Sequence, residues 1–315
     1  MPDDFSKVHP DLQQIVKKTP KITFNKTTVG LINFIMPLVP TPKVPADIQV
    51  ENVFIAGQDE RTKIRLRVYK PKVTGAPTPV LIWLHGGGYV IGTPEMDDSN
   101  CADFVRELGI TVVSVDYRLA PWQPFPAALN DGYAALQWVN AHAQQLGVDA
   151  NRLAIGGESA GGGLAAALAQ LAHDRGEIQP VLQLLIYPML DDRTVLRTEI
   201  DDSNNVTWSH KNNRFGWKSY LGKDGGAEDV PNYSAPARRA DLSGLPPAWI
   251  GVGTLDIFHD EDAAYAQKLQ ACGVKCETML VPGAFHGFDR FSPHLPIVQA
   301  FQKSQISALK KYLHA

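Results

Sequence analysis

Cysteine is scarce in this sequence: Cys101, Cys272 and Cys276 are the only three in 315 residues. An odd number spread over so long a chain argues against a disulfide framework and for reduced thiols. Cys272 and Cys276 are too isolated to make a metal site. An excess of charge is missing too. With 30 Lys and Arg against 33 Asp and Glu, the formal net charge is -3. There is no basic stripe of the kind that tracks a nucleic-acid backbone, so nucleic acid is not an expected partner. No apolar run is long enough to span a bilayer, which excludes stable membrane insertion by a helix. The amino terminus, MPDDFSKVHPDLQQ, opens acidic and lacks the positive start and apolar core of a secretory signal, so a cytoplasmic location is expected. The sequons headed by Asn25, Asn205 and Asn232 carry no weight in that setting. Internal repeats and low-complexity tracts are also absent.

What is present is an ordinary globular composition, 44% hydrophobic and 20% charged, with length enough for one large α/β domain or two smaller ones. Residues 1–49 stand apart, because prolines from Pro2 to Pro45 punctuate them around the apolar patch VGLINFIMPLVP. Such a segment cannot supply a regular sheet, so it reads as a short helical or irregular covering piece. From residue 50 the pattern changes. Eight β-branched or apolar runs, VENVFIA, IRLRVYK, PVLIWLH, TVVSVDY, RLAIGG, LQLLIYP, AWIGVG and CETMLVP, read as strands. Several are unbroken rather than alternating, which suits a sheet buried on both faces. Helical patterns lie between them, among them AALNDGYAALQWVNAHAQQL, AGGGLAAALAQLAHD and DEDAAYAQKLQACG. The alternation predicts an α/β fold with a mostly parallel eight-stranded sheet flanked by helices, occupying residues 50–315. A polar and aromatic insertion at 191–242 interrupts it, and with residues 1–49 it is a candidate for one helical cap over the strand ends.

The densest glycine cluster, RLAIGGESAGGGLAAALAQ, invites three readings. A phosphate loop fails because no lysine follows the glycines, and a dinucleotide fingerprint fails because no register supplies its three glycines. Gly157-Glu158-Ser159-Ala160-Gly161 does fit a G-x-S-x-G turn, placed between a strand and an alanine-rich helix. A sharp strand-to-helix turn strains the serine backbone and needs glycine at both flanks, while the helix start offers free amides and a positive dipole end to an oxyanion.

A serine hydroxyl needs a base, and the base needs an orienting acid. In this kind of turn the chain order is serine, acid, histidine. His286, in the glycine-flanked loop VPGAFHGFDR after the last apparent strand, is the expected base, whereas His173, His210, His259 and His314 read as solvated. Asp256, directly after AWIGVG, is the preferred acid, with Asp260 and Glu261 as alternatives. Asp260, Glu261 and Asp262 are otherwise explained as first-turn acidic residues complementing a helix dipole. Upstream, Gly86, Gly87 and Gly88 end a buried strand and can present bare amides to a substrate oxygen, with His85 bracing the loop.

With these pieces the chain resembles the hormone-sensitive lipase family of α/β-hydrolases, the bacterial family IV esterases. The resemblance runs from about residue 50 to the carboxyl end and rests on HGGG, DYRLAP followed by FPAAL, GESAGG, YPMLD, LDIFHDEDAAYAQKL and FHGF. It implies a triad of Ser159, Asp256 and His286, an oxyanion hole from the amides of Gly87, Gly88 and Ala160, and a cap made of the two segments named above. One position departs from the pattern: Trp122 stands where family members usually carry glutamate. Asp116 and Arg118 of DYRLAP read as a structural ion pair, and Glu158 has no assigned role.

The expected function is hydrolysis of short to medium acyl esters through an acyl-enzyme, with no metal and no cofactor. Hydrolysis of an amide or lactone is the alternative within enzymes, and a non-catalytic small-molecule receptor the alternative outside them. The expected partner is a small-molecule ester, with a homodimer left open. Phe34, Met36, Tyr187 and Trp208 are the candidate substrate-binding residues. The apolar side chains of Leu31, Ile32, Phe34, Ile35, Met36 and Leu38 suit either acyl chains or packing onto the body.

Overall fold

The computed structural model describes residues 5–39, 44–59, 62–73 and 75–315, so parts of the segment set apart at 1–49, namely 1–4 and 40–43, lie outside the described residues. Its strands are β1 Ile48–Ala56, β2 Lys63–Pro71, β3 Thr78–Leu84, β4 Thr111–Asp116, β5 Val148–Glu158, β6 Leu182–Ile186, β7 Ala248–Gly253 and β8 Cys276–Val281. They form one sheet in the order β1-β2-β4-β3-β5-β6-β7-β8. β2 runs antiparallel to both neighbours and the other pairs are parallel, giving the mostly parallel sheet that the alternating pattern predicts.

Every residue of β3 and of β7 is buried, which explains their unbroken apolar runs. Side chains still alternate between two cores. Val80, Ile82 and Leu84 join the helices Ala127–Ala141, Ala160–Arg175 and His259–Ala271 on one face, while Leu81 and Trp83 join Asp98–Leu108 and Pro296–Leu313 on the other. The chain steps from β3 outward to β4 and then back across β3 to β5. That reversal of direction opens a crevice at the carboxyl ends of β3 and β5, where open α/β sheets bind ligands.

Two local expectations are corrected. The helix expected across 127–146 breaks at His142, whose backbone leaves helical geometry (φ -110°, ψ 17°), and a short helix Ala143–Leu146 follows. Asp116 and Arg118 are each paired, but not with one another. Arg65 lies directly opposite Asp116 in the β2–β4 ladder and bonds to it, whereas Arg118, two residues past the end of β4, forks onto buried Asp131.

In the amino-terminal segment, Asn25 caps the helix Lys26–Ile35 by accepting from the amides of Thr27 and Thr28, while Thr28 accepts the Asn25 amide in return. Trp122 is half exposed and packs beside Gly30 of that helix. In the 191–242 stretch, Ser209 caps the helix His210–Leu221. The two segments touch through buried Asn212, which accepts from Phe24 N at 2.9 Å and donates to Ile22 O at 2.8 Å, and through the Phe24 and Trp208 rings. All three cysteines are free. Among the described residues no helix is long and apolar enough to cross a membrane.

Candidate active site

Only Ser159 separates β5 from the helix Ala160–Arg175, and its backbone (φ 55°, ψ -121°) lies outside the conformations an L-residue prefers. Neighbours hold it there. Ser159 N donates to Ile186 O at 2.8 Å, and Ser159 O accepts from Met189 N at 2.9 Å and Gly163 N at 3.0 Å. A methyl group on Gly161 would lie 2.0 Å from Leu84 O and 2.4 Å from His85 O, and one on Gly157 would lie 2.4 Å from Gly161 O. The flanking glycines are therefore required both by the turn itself and by the end of β3 pressing against it.

Ser159 Oγ sits 2.8 Å from His286 Nε2, and His286 Nδ1 sits 2.7 Å from Asp256 Oδ2. The Asp256 side chain is fully buried, and its other oxygen accepts from Phe258 N at 2.9 Å. A carboxylate on Nδ1 favours the tautomer whose proton is there, leaving Nε2 free to accept from serine. The edges of Tyr187 and Phe258 pack against the imidazole at 4.8 and 5.1 Å between centroids. Serine, histidine and acid thus sit on loops after β5, β8 and β7, at one end of the sheet.

The alternative acids lie elsewhere. Asp260 pairs with His259 and Arg197 at the surface. Glu261 accepts from the amides of Leu190 and Asp191 and from the Thr194 hydroxyl. Asp260, Glu261 and Asp262 all lie in the first turn of the helix His259–Ala271, where acidic residues complement the dipole, but only Asp260 is exposed. Glu261 and Asp262 face the interior, where burial pushes both carboxyl groups well above their ordinary pKa, and Asp262 has no hydrogen-bond partner.

Beyond β3, Gly87 and Gly88 take positive φ (117° and 61°), and a methyl group on Gly88 would lie 1.9 Å from the Trp208 ring. The indole therefore rests directly on this loop. His85 is buried, stacks on Tyr117 with centroids 4.2 Å apart, and contacts Gly86 O through Nδ1 at 2.8 Å. Burial lowers its pKa, so it stays neutral. Ala160 is the first residue of its helix, where backbone amides have no intrahelical acceptor.

Ser159, His286, Gly87 and Gly88 line one cavity of about 380 Å³, walled also by Phe24, Met96, Tyr187, Trp208, Arg290 and Phe291. Two of the candidate substrate residues, Tyr187 and Trp208, are therefore in its wall. The other two are not. Phe34 is 75% exposed at the surface, and Met36 lines a separate apolar groove with Leu31 and Ile35. Phe34 lies on the solvent side of the helix whose buried residue is Val29, and half-buried Met36 lies just past the end of that helix, a difference that an all-apolar run conceals. Trp217 is buried against Tyr89 and Tyr220.

A polar network runs from the cavity wall at Glu158, Tyr187 and Arg290 to Asp97 and Asp289, and its pairings went unmarked in the sequence. Arg290 bonds to the Glu158 carboxylate and, at 3.0 Å, to Asp97 Oδ1. The Tyr187 hydroxyl donates to Asp289 Oδ1 at 2.9 Å and also lies 3.3 Å from Glu158 Oε2. Burial pushes the Asp289 carboxyl up to about 6. No local motif announces this network; the only hint is a charged residue on each side of a glycine-rich active turn and loop.

A family model described as an alpha/beta hydrolase fold matches residues 81–290. Carboxylesterase NlhH of Mycobacterium tuberculosis is 38% identical over 278 residues, spanning 87% of this chain and 86% of that protein. Ethyl acetate hydrolase of Pseudomonas putida is 31% identical over 270 residues, spanning 84% and 83%. Among solved structures, a bacterial heroin esterase superposes with a TM-score of 0.89 at 35% identity, covering 99% of both chains. The chain accordingly belongs to the α/β-hydrolase family, in its hormone-sensitive lipase branch, and is an enzyme of the carboxylesterase type.

Proposed function

We propose that the protein hydrolyses carboxylic esters of short to medium acyl chains by acyl transfer through Ser159. The observation that carries this reading is the continuous line from Ser159 Oγ to His286 Nε2 and from His286 Nδ1 to Asp256 Oδ2, at 2.8 and 2.7 Å, opening onto a cavity. Ser159 Oγ bonds to the ester carbonyl carbon as His286 takes its proton, and the carbonyl electron pair moves onto oxygen. The amides of Gly87, Gly88 and Ala160 receive that oxyanion. Its collapse breaks the bond to the alcohol, which leaves with the proton from His286. Water then attacks the acyl-enzyme with His286 again as base, and the carboxylic acid departs. Asp256 orients the imidazole and stabilises its charged form.

The amino-terminal segment and residues 191–242 act as the cap. Supporting this are the Asn212 and Phe24 contacts between them and the placement of both Phe24 and Trp208 in the cavity wall. The modest cavity and the ethyl acetate hydrolase relative support small acyl groups. The test is a panel of p-nitrophenyl esters from acetate to decanoate, run on wild type and Ser159→Ala. Wild type turns over the shorter esters, and Ser159→Ala loses about a million-fold in kcat. No turnover of any ester by wild type, or full turnover by the alanine variant, ends the reading.

A further inference from the structure

A second recess lies beside the cavity that holds Ser159. It is a groove of about 400 Å³ lined by Leu31, Ile32, Ile35, Met36, Val39, Thr93 and Met96, almost wholly carbon. Leu31 is 58%, Ile35 44% and Val39 55% exposed, so this apolar surface is not shielded by any of the described residues. One side chain belongs to both recesses: Met96 lines the groove and also the cavity of Ser159. Its backbone is fixed, with the amide on Thr93 O at 3.1 Å and the carbonyl accepting from Arg290 at 3.2 Å. Its thioether side chain is half-buried, unbranched and rotatable, the kind of group that fills a gap without closing it permanently.

We propose that the groove is a distal acyl subsite and that Met96 determines specificity by standing between it and the cavity, so setting the chain length at which substrates stop fitting. The inference rests on the ester-hydrolase reading above. A straight acyl chain that passes Met96 covers exposed leucine, isoleucine and valine surface, and each methylene leaving water is worth about fourfold in affinity. The occupant is an alkyl chain because the groove offers no charge and no converging hydrogen-bond donors, and because it adjoins the cavity in which the ester carbon is attacked.

The experiment compares kcat/KM for p-nitrophenyl decanoate and butyrate in wild type, Met96→Ala and Met96→Ala/Ile35→Asp. Met96→Ala is expected to raise the decanoate-to-butyrate ratio about fifteenfold, the gain of two methylenes. Adding Ile35→Asp, at an exposed position that tolerates charge for folding, is expected to remove that gain. An unchanged ratio in Met96→Ala, or a gain that survives Ile35→Asp, overturns the subsite while ester hydrolysis stands. A fall in molecular mass by light scattering on introducing Ile35→Asp also overturns it, by assigning the groove to a second copy of the chain. Absence of turnover by wild type on every ester defeats the underlying reading instead.

Discussion

Arg290 closes an ion pair with Glu158, tying the loop that carries His286 to the residue immediately before Ser159. The Glu158 side chain is 3% exposed, so its charge is compensated by that guanidinium and by the nearby Tyr187 hydroxyl rather than by water. The same guanidinium reaches buried Asp97. Two residues outside the proposed chemistry thus hold the distance between the two loops that perform it.

Removing one partner of this pair leaves a buried charge uncompensated. Arg290→Gln is expected to lower unfolding free energy by about 2–4 kcal/mol, a buried-pair loss moderated because the arginine is partly exposed. Glu158→Gln in the same background is expected to recover part of the loss. Urea unfolding of both single variants and the double variant measures the coupling, and strictly additive effects would contradict the pair as described.

Crowding at the turn sets a second expectation. Gly161→Ala places a methyl group 2.0 Å from Leu84 O, backbone that cannot step aside, so stability and kcat should both fall. Gly30→Ala meets nothing nearer than 3.6 Å inside the helix Lys26–Ile35 and is expected to stabilise by about 0.5–1 kcal/mol. Thermal unfolding of the two variants should move in opposite directions.

Asp289 gives a pH dependence with a definite sign. Its carboxyl is raised from 3.8 to about 6 by burial, so the folded protein holds the proton more tightly than the unfolded chain. The resulting stabilisation is complete below about 3.8 and disappears as pH rises through about 6. Asp289→Asn removes the titrating group while retaining an acceptor for the Tyr187 hydroxyl. Its stability relative to wild type should therefore improve between about pH 4 and pH 7, by up to about 3 kcal/mol. Chemical denaturation at several pH values checks this, and a constant difference would rule it out.

The proposed triad should fail as a unit. Asp256→Asn is expected to lower kcat about ten-thousand-fold by favouring the wrong imidazole tautomer, and His286→Ala about a million-fold. Combining them should cost scarcely more than His286→Ala alone. Single-turnover rates on one p-nitrophenyl ester measure this, with circular dichroism to verify that each variant is folded; multiplicative losses would mean that the two residues act independently.

Features carried by short-range rules were readable in the chain. The eight strands follow from apolar runs bounded by turn residues, and the turn at Ser159 from glycines spaced around one serine, because backbone geometry over ten residues depends mainly on those residues. Asp256 and His286 were singled out by their places just after strands, and the structure sets them in line with Ser159. Partner choice between distant side chains was a different matter. Glu158 and Arg290 are 132 residues apart, and Asp116, Arg118 and Glu261 each found a partner that no spacing indicated. Nor could an apolar run show that Phe34 faces water while Val29 is buried. By itself the sequence determined which segments become strands and helices and where a nucleophile could be mounted. Only the tertiary structure decided which charges are compensated and which apolar faces are covered, because desolvation and pairing depend on the strand order that brings remote residues together.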